Sequence, residues 1–264
     1  MWLDFPIYAS MALICWLAST ILYLSSGKKL TDQLSTGLAA LGTILLLVFV
    51  TSLWIHIQRP PMRTLGETRL WYAIFTSAIG IGAYLRWGYK WLICYSLSIA
   101  ALFLFINLGH PETYDKTLMP ALQSPWFVPH VIVYIFAYAL LGASSLVALQ
   151  NLFFPTKIKN IKDPIQMADN LVYLGFSFIT MGLLFGALWA KEAWGHYWTW
   201  DPKEVWAFIT WMLYLVYIHY RFRHPLEHRK AMIVLAISFA VLLICWFGVS
   251  YLPSAQSSVH VYSK

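Results

Sequence analysis

Residues Thr36–Ile57, TGLAALGTILLLVFVTSLWIHI, run for 22 positions without one Asp, Glu, Lys or Arg. A hydrocarbon core of about 30 Å needs roughly 20 helical residues, so this segment is long enough to cross a bilayer. In lipid every backbone N–H and C=O must be satisfied within the spanning segment, which makes an α-helix the reading for that length. Apolar stretches of similar size lie at 5–25, 69–87, 91–108, 128–153, 171–190, 204–220 and 231–252. The third in chain order is the weakest, and every connection is short. The expected fold is therefore all-α: a polytopic integral membrane helical bundle of about eight transmembrane helices, a single membrane domain over residues 1–264. Composition agrees, with 60% hydrophobic and 11% charged residues and a mean hydropathy of +0.64. A soluble domain carries about 25% charged residues.

Charge and cysteine narrow the class. The net charge is +7, but no basic stripe interleaved with polar residues runs through the chain, so nucleic acid is not an expected partner. In a membrane protein, excess Lys and Arg marks the inner loops. Placing the N-terminus outside puts eleven basic residues on the inner side and seven on the outer, so both termini are expected outside. Three of those seven, Arg59, Arg63 and Arg69, share one outer loop. Cys15, Cys94 and Cys245 are isolated in apolar stretches, without the Cys-x-x-Cys spacing of a zinc site or an attached c-type haem. Asp4 and the lack of a basic residue before the first apolar segment read as a retained span and not a cleavable signal.

The chain has 14 Trp, 16 Tyr and 16 Phe, 17% aromatic, and the tryptophans cluster. Trp194-Gly-His-Tyr-Trp-Thr-Trp-Asp-Pro-Lys-Glu-Val-Trp206, followed by Trp211, places five tryptophans in 18 residues. Interfacial anchoring needs one or two per helix end. Asp201-Pro202-Lys203-Glu204 reads as a helix start, with an Asp N-cap, Pro in the first turn and an acid at the third position. This role is compatible with a functional one for Asp201. Trp206 and Trp211 lie on the following span and read as packing residues. Trp194, Trp198 and Trp200 precede it at the surface, where large rings form a platform suited to a large, flat, apolar ligand with charged edges.

The stretch Trp194–Trp211 resembles the WWD signature of the haem-handling proteins of cytochrome c biogenesis, and within them the CcsA/ResC family of System II cytochrome c synthases. Ser124-Pro-Trp-Phe-Val-Pro-His-Val131, with Tyr138 beyond it, is similar to the family segment that carries the first external haem-ligating histidine. Ser258-Val-His-Val-Tyr-Ser263 matches the second more loosely, without the flanking glycines usual there. Tyr217-Ile-His-Tyr-Arg221 is similar to the end of the span where the family places a membrane-embedded histidine. The resemblance covers about the last 140 residues.

It implies haem b as substrate and bound ligand, with His130, His260 and His219 as iron ligands. Trp194, Trp198, Trp200 and Asp201 would form the outer platform, and Arg59 and Arg63 would pair with the haem propionates. Implied partners are a CcsB/ResB-type membrane subunit, apocytochrome c and the lipid bilayer. The implied activity is that of a cytochrome c haem lyase component, in a bacterial cytoplasmic membrane with the haem-presenting loops outside. No catalytic residue is separately assigned.

Each histidine also has a plainer reading. His196 is a solvated loop residue, His110 precedes a proline in an acidic outer loop, and His224 and His228 sit in a basic inner loop as orientation charges. His56 reads as interfacial packing. Imidazole is a strong ligand for haem iron, so His130 and His260, at one depth, are candidates to clamp it from both faces. An ionisable group within a span is a functional candidate by default; for His219 the alternative is a residue snorkelling at the inner boundary beside Arg221 and Arg223. Two rival functions remain: a CcmC-type protein that delivers haem without ligating it, and a haem subunit of a quinol redox chain. The second needs histidine pairs on facing helices in mid-membrane.

Overall fold

The computed structural model describes residues 2–25, 29–114, 120–154 and 164–253, and all its regular structure there is helical. The chain divides into two compact units, Met1–Leu118 and Met119–Lys264. The first holds α1 (Phe5–Ser25), α2 (Lys29–Ile57), α3 (Leu65–Trp87) and α4 (Lys90–Gly109). The second holds α5 (Phe127–Phe153), α6 (Pro164–Trp194), α7 (Pro202–Arg223) and α8 (His228–Leu243).

Each of the eight expected spans coincides with one of these helices. Among the described residues, six segments are long and apolar enough to cross a membrane: α2, α4, α5, α6, α1 with the turn before it, and α8 continued to Gly248. The two others, α3 and α7, are less apolar; α3 carries Glu67, Arg69 and Arg86, and α7 carries three tyrosines and two tryptophans. Helix ends differ from the apolar boundaries where polar turns remain helical: α2 starts at Lys29 and not at 36, and α6 at Pro164 and not at 171. The last span is interrupted. Its α-helix stops at Leu243, followed by a π turn over Ile244–Gly248 and a 3-10 turn over Val249–Tyr251.

Apolar burial alone drives little helix association in lipid, because lipid tails are as apolar as leucine; close approach at small residues and interhelical hydrogen bonds take over. In the first unit Trp16 of α1 lies against Gly42 of α2 and donates its indole N–H to Ala39 O at 3.2 Å. Ser19 donates to Ser35 O at 2.7 Å, so α1 and α2 run antiparallel. Gly80 of α3 abuts Ser96 of α4, while Asn107 near the end of α4 donates to Gly66 O at the start of α3, 2.8 Å away. In the second unit α5 and α6 pair along three glycines of α6: Gly175 meets Leu141, Gly182 meets Tyr134 and Gly186 meets His130. The numbers run in opposite directions, so this pair is antiparallel too. Exposed Ile7, Ile14, Leu17 and Ile21 mark a lipid-facing side of α1.

Candidate functional site

In the second unit the first turn of α5 carries His130, seated against α6. Its Nδ1 lies 2.9 Å from Gly182 O. A carbonyl can only accept, so Nδ1 carries the proton and the lone pair of the neutral ring is on Nε2. A metal-ligating imidazole usually has this arrangement, the second nitrogen donating to a carbonyl that fixes the tautomer and ring orientation. Tyr134 meets the ring edge-on at 4.7 Å and Trp189 lies across it at 5.3 Å. Trp189 is 3% exposed and is pinned by an indole bond to Ala121 O at 2.7 Å. It also touches Trp194, the last residue of α6, at 4.9 Å. Ser124, just ahead of α5, donates to Glu192 Oε2 at 2.7 Å, a second tie between this turn and the end of α6.

The loop from Trp194 enters α7 through a capping box. Asp201 caps the helix with Pro202 in its first turn, and its carboxylate accepts from Lys203 N at 3.1 Å. Glu204 reaches back to accept from Thr199 N at 2.8 Å and Asp201 N at 3.1 Å. Both carboxylates are buried, so the structural half of the expectation for Asp201 is seen directly. Between them and Trp194 the backbone is contorted: Gly195 has φ +86 and Trp200 φ +59. A left-handed conformation for a bulky residue is unfavourable by about 1–3 kcal/mol and clusters at functional positions. It turns Trp200 outward, 66% exposed.

Trp198 and Trp200 meet at 87°, centroids 5.8 Å apart. Trp200 in turn stands at 89° to Phe208, which stacks on Trp211 at 14°. The indoles thus build a corner and not one flat sheet. The Trp198 indole nitrogen is buried with no hydrogen-bond partner among the described residues. A buried donor left unpaired is costly, and an incoming ligand with an acceptor at its edge would satisfy it. Haem carries such acceptors in its propionates, and a flat macrocycle suits indole faces.

At the other end of α7, Tyr217 donates to Asp169 Oδ1 of α6 at 2.7 Å, and Arg221 binds the same carboxylate through Nε at 3.0 Å and Nη2 at 2.9 Å. These residues, one turn apart, set the rotation of α7. His219 lies two residues from each, about 200° around the helix, and is exposed. Its Nδ1 donates to Leu215 O at 2.9 Å, again leaving the lone pair on Nε2. Leu215, Val216, Tyr220, Arg223 and His224 line a shallow apolar hollow with it.

In the first unit, Arg59 forms a two-pronged contact with Glu67, at 3.0 and 2.8 Å. The Arg63 and Thr64 backbone N–H groups add 2.6 and 3.1 Å bonds to the same carboxylate, which is 1% exposed. Burial, followed by the like charge of Arg59, lowers the pKa of Arg63, and Glu67 opposes that. His56 is exposed at the end of α2. His260 and the whole of 258–263 lie outside the described residues.

The structure thus brings together His130 and Trp194 through Trp189, and separately Trp198 and Trp200 through the loop before α7. Sequence reasoning missed Trp189, Glu192, Gly182 and Gly186. Trp189 sits five residues before Trp194 inside an apolar run, where a single tryptophan reads as filler.

The fold and the site define a polytopic helical membrane protein presenting an oriented imidazole and an indole-lined surface. The cytochrome C assembly protein family profile matches residues 5–255, and the chain belongs to that family. It is 33% identical over 247 residues to "Cytochrome c biogenesis protein CcsA" of Trachelium caeruleum, covering 77% of this chain and 78% of the relative. The protein of that name from Panax ginseng is 31% identical over 271 residues, covering 85% and 84%. The one from Chlamydomonas reinhardtii is 41% identical over 149 residues, and the match spans 53% of this chain and 42% of that relative. Among solved structures, "Cytochrome c Heme Lyase CcmF" superposes with a TM-score of 0.68 at 18% identity, over 96% of this chain and 48% of that one, a likeness of fold.

Proposed function

We propose that this protein is the haem-handling membrane subunit of a cytochrome c synthase, seated in a bacterial cytoplasmic membrane with both termini and the tryptophan loop on the outer side. It binds haem b there, with His130 and His260 as axial ligands, Trp194 on the His130 side, and the Trp198–Trp200 corner with the Asp201-capped turn as the indole surface that holds the ring. His219, turned outward on α7, binds haem at the inner side, together with a group from a CcsB/ResB-type partner.

The observation that carries the reading is His130 Nδ1 bonded to Gly182 O at 2.9 Å, in a chain of the cytochrome C assembly protein family. The chemistry is addition of two apocytochrome thiols across the two haem vinyl groups. Each sulfur bonds the vinyl carbon next to the ring, and the thiol hydrogen goes to the terminal carbon, so no electrons are exchanged overall. Catalysis then consists mainly of holding vinyl and thiol in reach.

Co-expression of the chain and its membrane partner with a Cys-x-x-Cys-His apocytochrome tests this. Wild type is expected to yield thioether-linked haem. Haem bound to the subunit with no thioether formed, partner present, would instead make it a delivery protein.

A further inference from the structure

We infer that Gly182 and Gly186 of α6 are positioning residues that seat the His130 imidazole and aim its Nε2 at iron; this rests on the haem reading above. A Cβ built on Gly186 would lie 2.8 Å from His130 Cε1 and 2.9 Å from Nδ1, closer than real Cβ contacts come, so the ring occupies the space a side chain would need. One turn earlier, Gly182 supplies the carbonyl that takes the Nδ1 proton at 2.9 Å. A Cβ on Gly182 would lie 2.9 Å from the Tyr134 ring, which itself leans edge-on against His130 at 4.7 Å. Trp189, one turn after Gly186, closes the seat. Three consecutive turns of α6 thus present a carbonyl, a gap and an indole to a single imidazole. The gap lets the ring reach the carbonyl, and the carbonyl fixes which nitrogen bears the lone pair.

Gly175 provides the control. It lies on the same face, and its Cβ would meet Leu141 at 2.7 Å, remote from the histidine. The full-length protein, purified in detergent with its partner, is titrated with ferric protoporphyrin and read by Soret spectrum, affinity and reduction potential. Gly186→Ala is expected to weaken haem binding by about 10- to 100-fold, the usual effect of losing support around a metal-bound histidine, and to change the Soret band. Free imidazole restores binding to His130→Gly, where the ring has been removed and the gap beside Gly186 is open. Gly175→Ala keeps the wild-type spectrum and potential. The double variant His130→Gly/Gly186→Ala, in which the added methyl has no tethered ring to strike, folds even where Gly186→Ala alone fails to fold, and imidazole restores haem binding to it less well than to His130→Gly because the methyl stands in the seat.

Wild-type binding by Gly186→Ala, equal loss in Gly175→Ala, or equal rescue by imidazole of His130→Gly and the double variant each overturns the seat. Unchanged haem binding in His130→Ala overturns the haem reading itself, so the two failures are distinct.

Discussion

The starts of α3 and α7 use the same chemistry to opposite ends. Each helix begins with a capping box, Thr64 with Glu67 and Asp201 with Glu204. Each follows a loop containing a residue with positive φ that is not glycine, Gln58 at +53 and Trp200 at +59. At α3 the Glu67 carboxylate gathers the Arg59 guanidinium and two loop N–H groups, so the loop closes on itself. At α7 Glu204 gathers Thr199 and the Asp201 backbone and no guanidinium, and the residues left over are indoles: one turned into solvent, another with its N–H buried and unanswered. The first arrangement spends its carboxylate on holding its own loop. The second keeps a strained, exposed ring and an indole donor without a partner among the described residues, features that suit an incoming ligand.

The largest effect should come from breaking the closed loop. Arg59→Ala leaves the Glu67 carboxylate buried without its counter-charge and is expected to destabilise the protein by about 3–5 kcal/mol, seen as a lowered unfolding midpoint in detergent; a loss under about 1 kcal/mol would show the pair to be no more than a surface contact. The two caps sharpen the contrast. Thr64→Ala and Asp201→Ala should each reduce stability by about 1 kcal/mol, yet only Asp201→Ala should also lower haem retained on purification.

Trp200→Gly should move stability and binding in opposite directions. Relief of the positive φ raises stability by about 1 kcal/mol, while loss of the ring weakens haem binding; a variant that is both more stable and fully haem-loaded would show the strain to serve no ligand.

The smallest effect is at the loop between α7 and α8, where Glu227 is bonded by Lys230 and Tyr220, contacts that lower its pKa, the lysine first. A carboxylate whose pKa is lower folded than unfolded stabilises the fold above its unfolded pKa and loses that contribution as pH falls through the folded one. Glu227→Gln should therefore flatten slightly the acid limb of the stability profile and leave haem spectra unchanged at neutral pH.

How much was legible in the sequence follows from the same contrast. The spans were readable because their lengths match a bilayer, and α7 could be placed despite its tyrosines and tryptophans because Asp-Pro-Lys-Glu announces a helix start. The capping box of α3 was equally present in Thr64 and Glu67, three residues apart, but the pairing of its carboxylate with Arg59 depends on a loop conformation that spacing does not give. Contacts between distant positions were invisible. Nothing in sequence links His130 to Gly182, or Asp169 to Arg221, because each pairing depends on how two helices approach and in which rotation. A glycine in an apolar span looks like a gap until its neighbour is known. The right-angled meeting of Trp198 and Trp200 likewise depends on a backbone twist that composition does not encode.

Ligation of haem iron by His130 is the proposal on which the rest depends. Its most direct test is the absorption spectrum of protein purified with its partner, wild type against His130→Ala, with and without added imidazole. A shifted Soret band and loss of haem in the variant, restored by imidazole, is the predicted result. A His130→Ala protein that keeps the wild-type spectrum and haem content would contradict it.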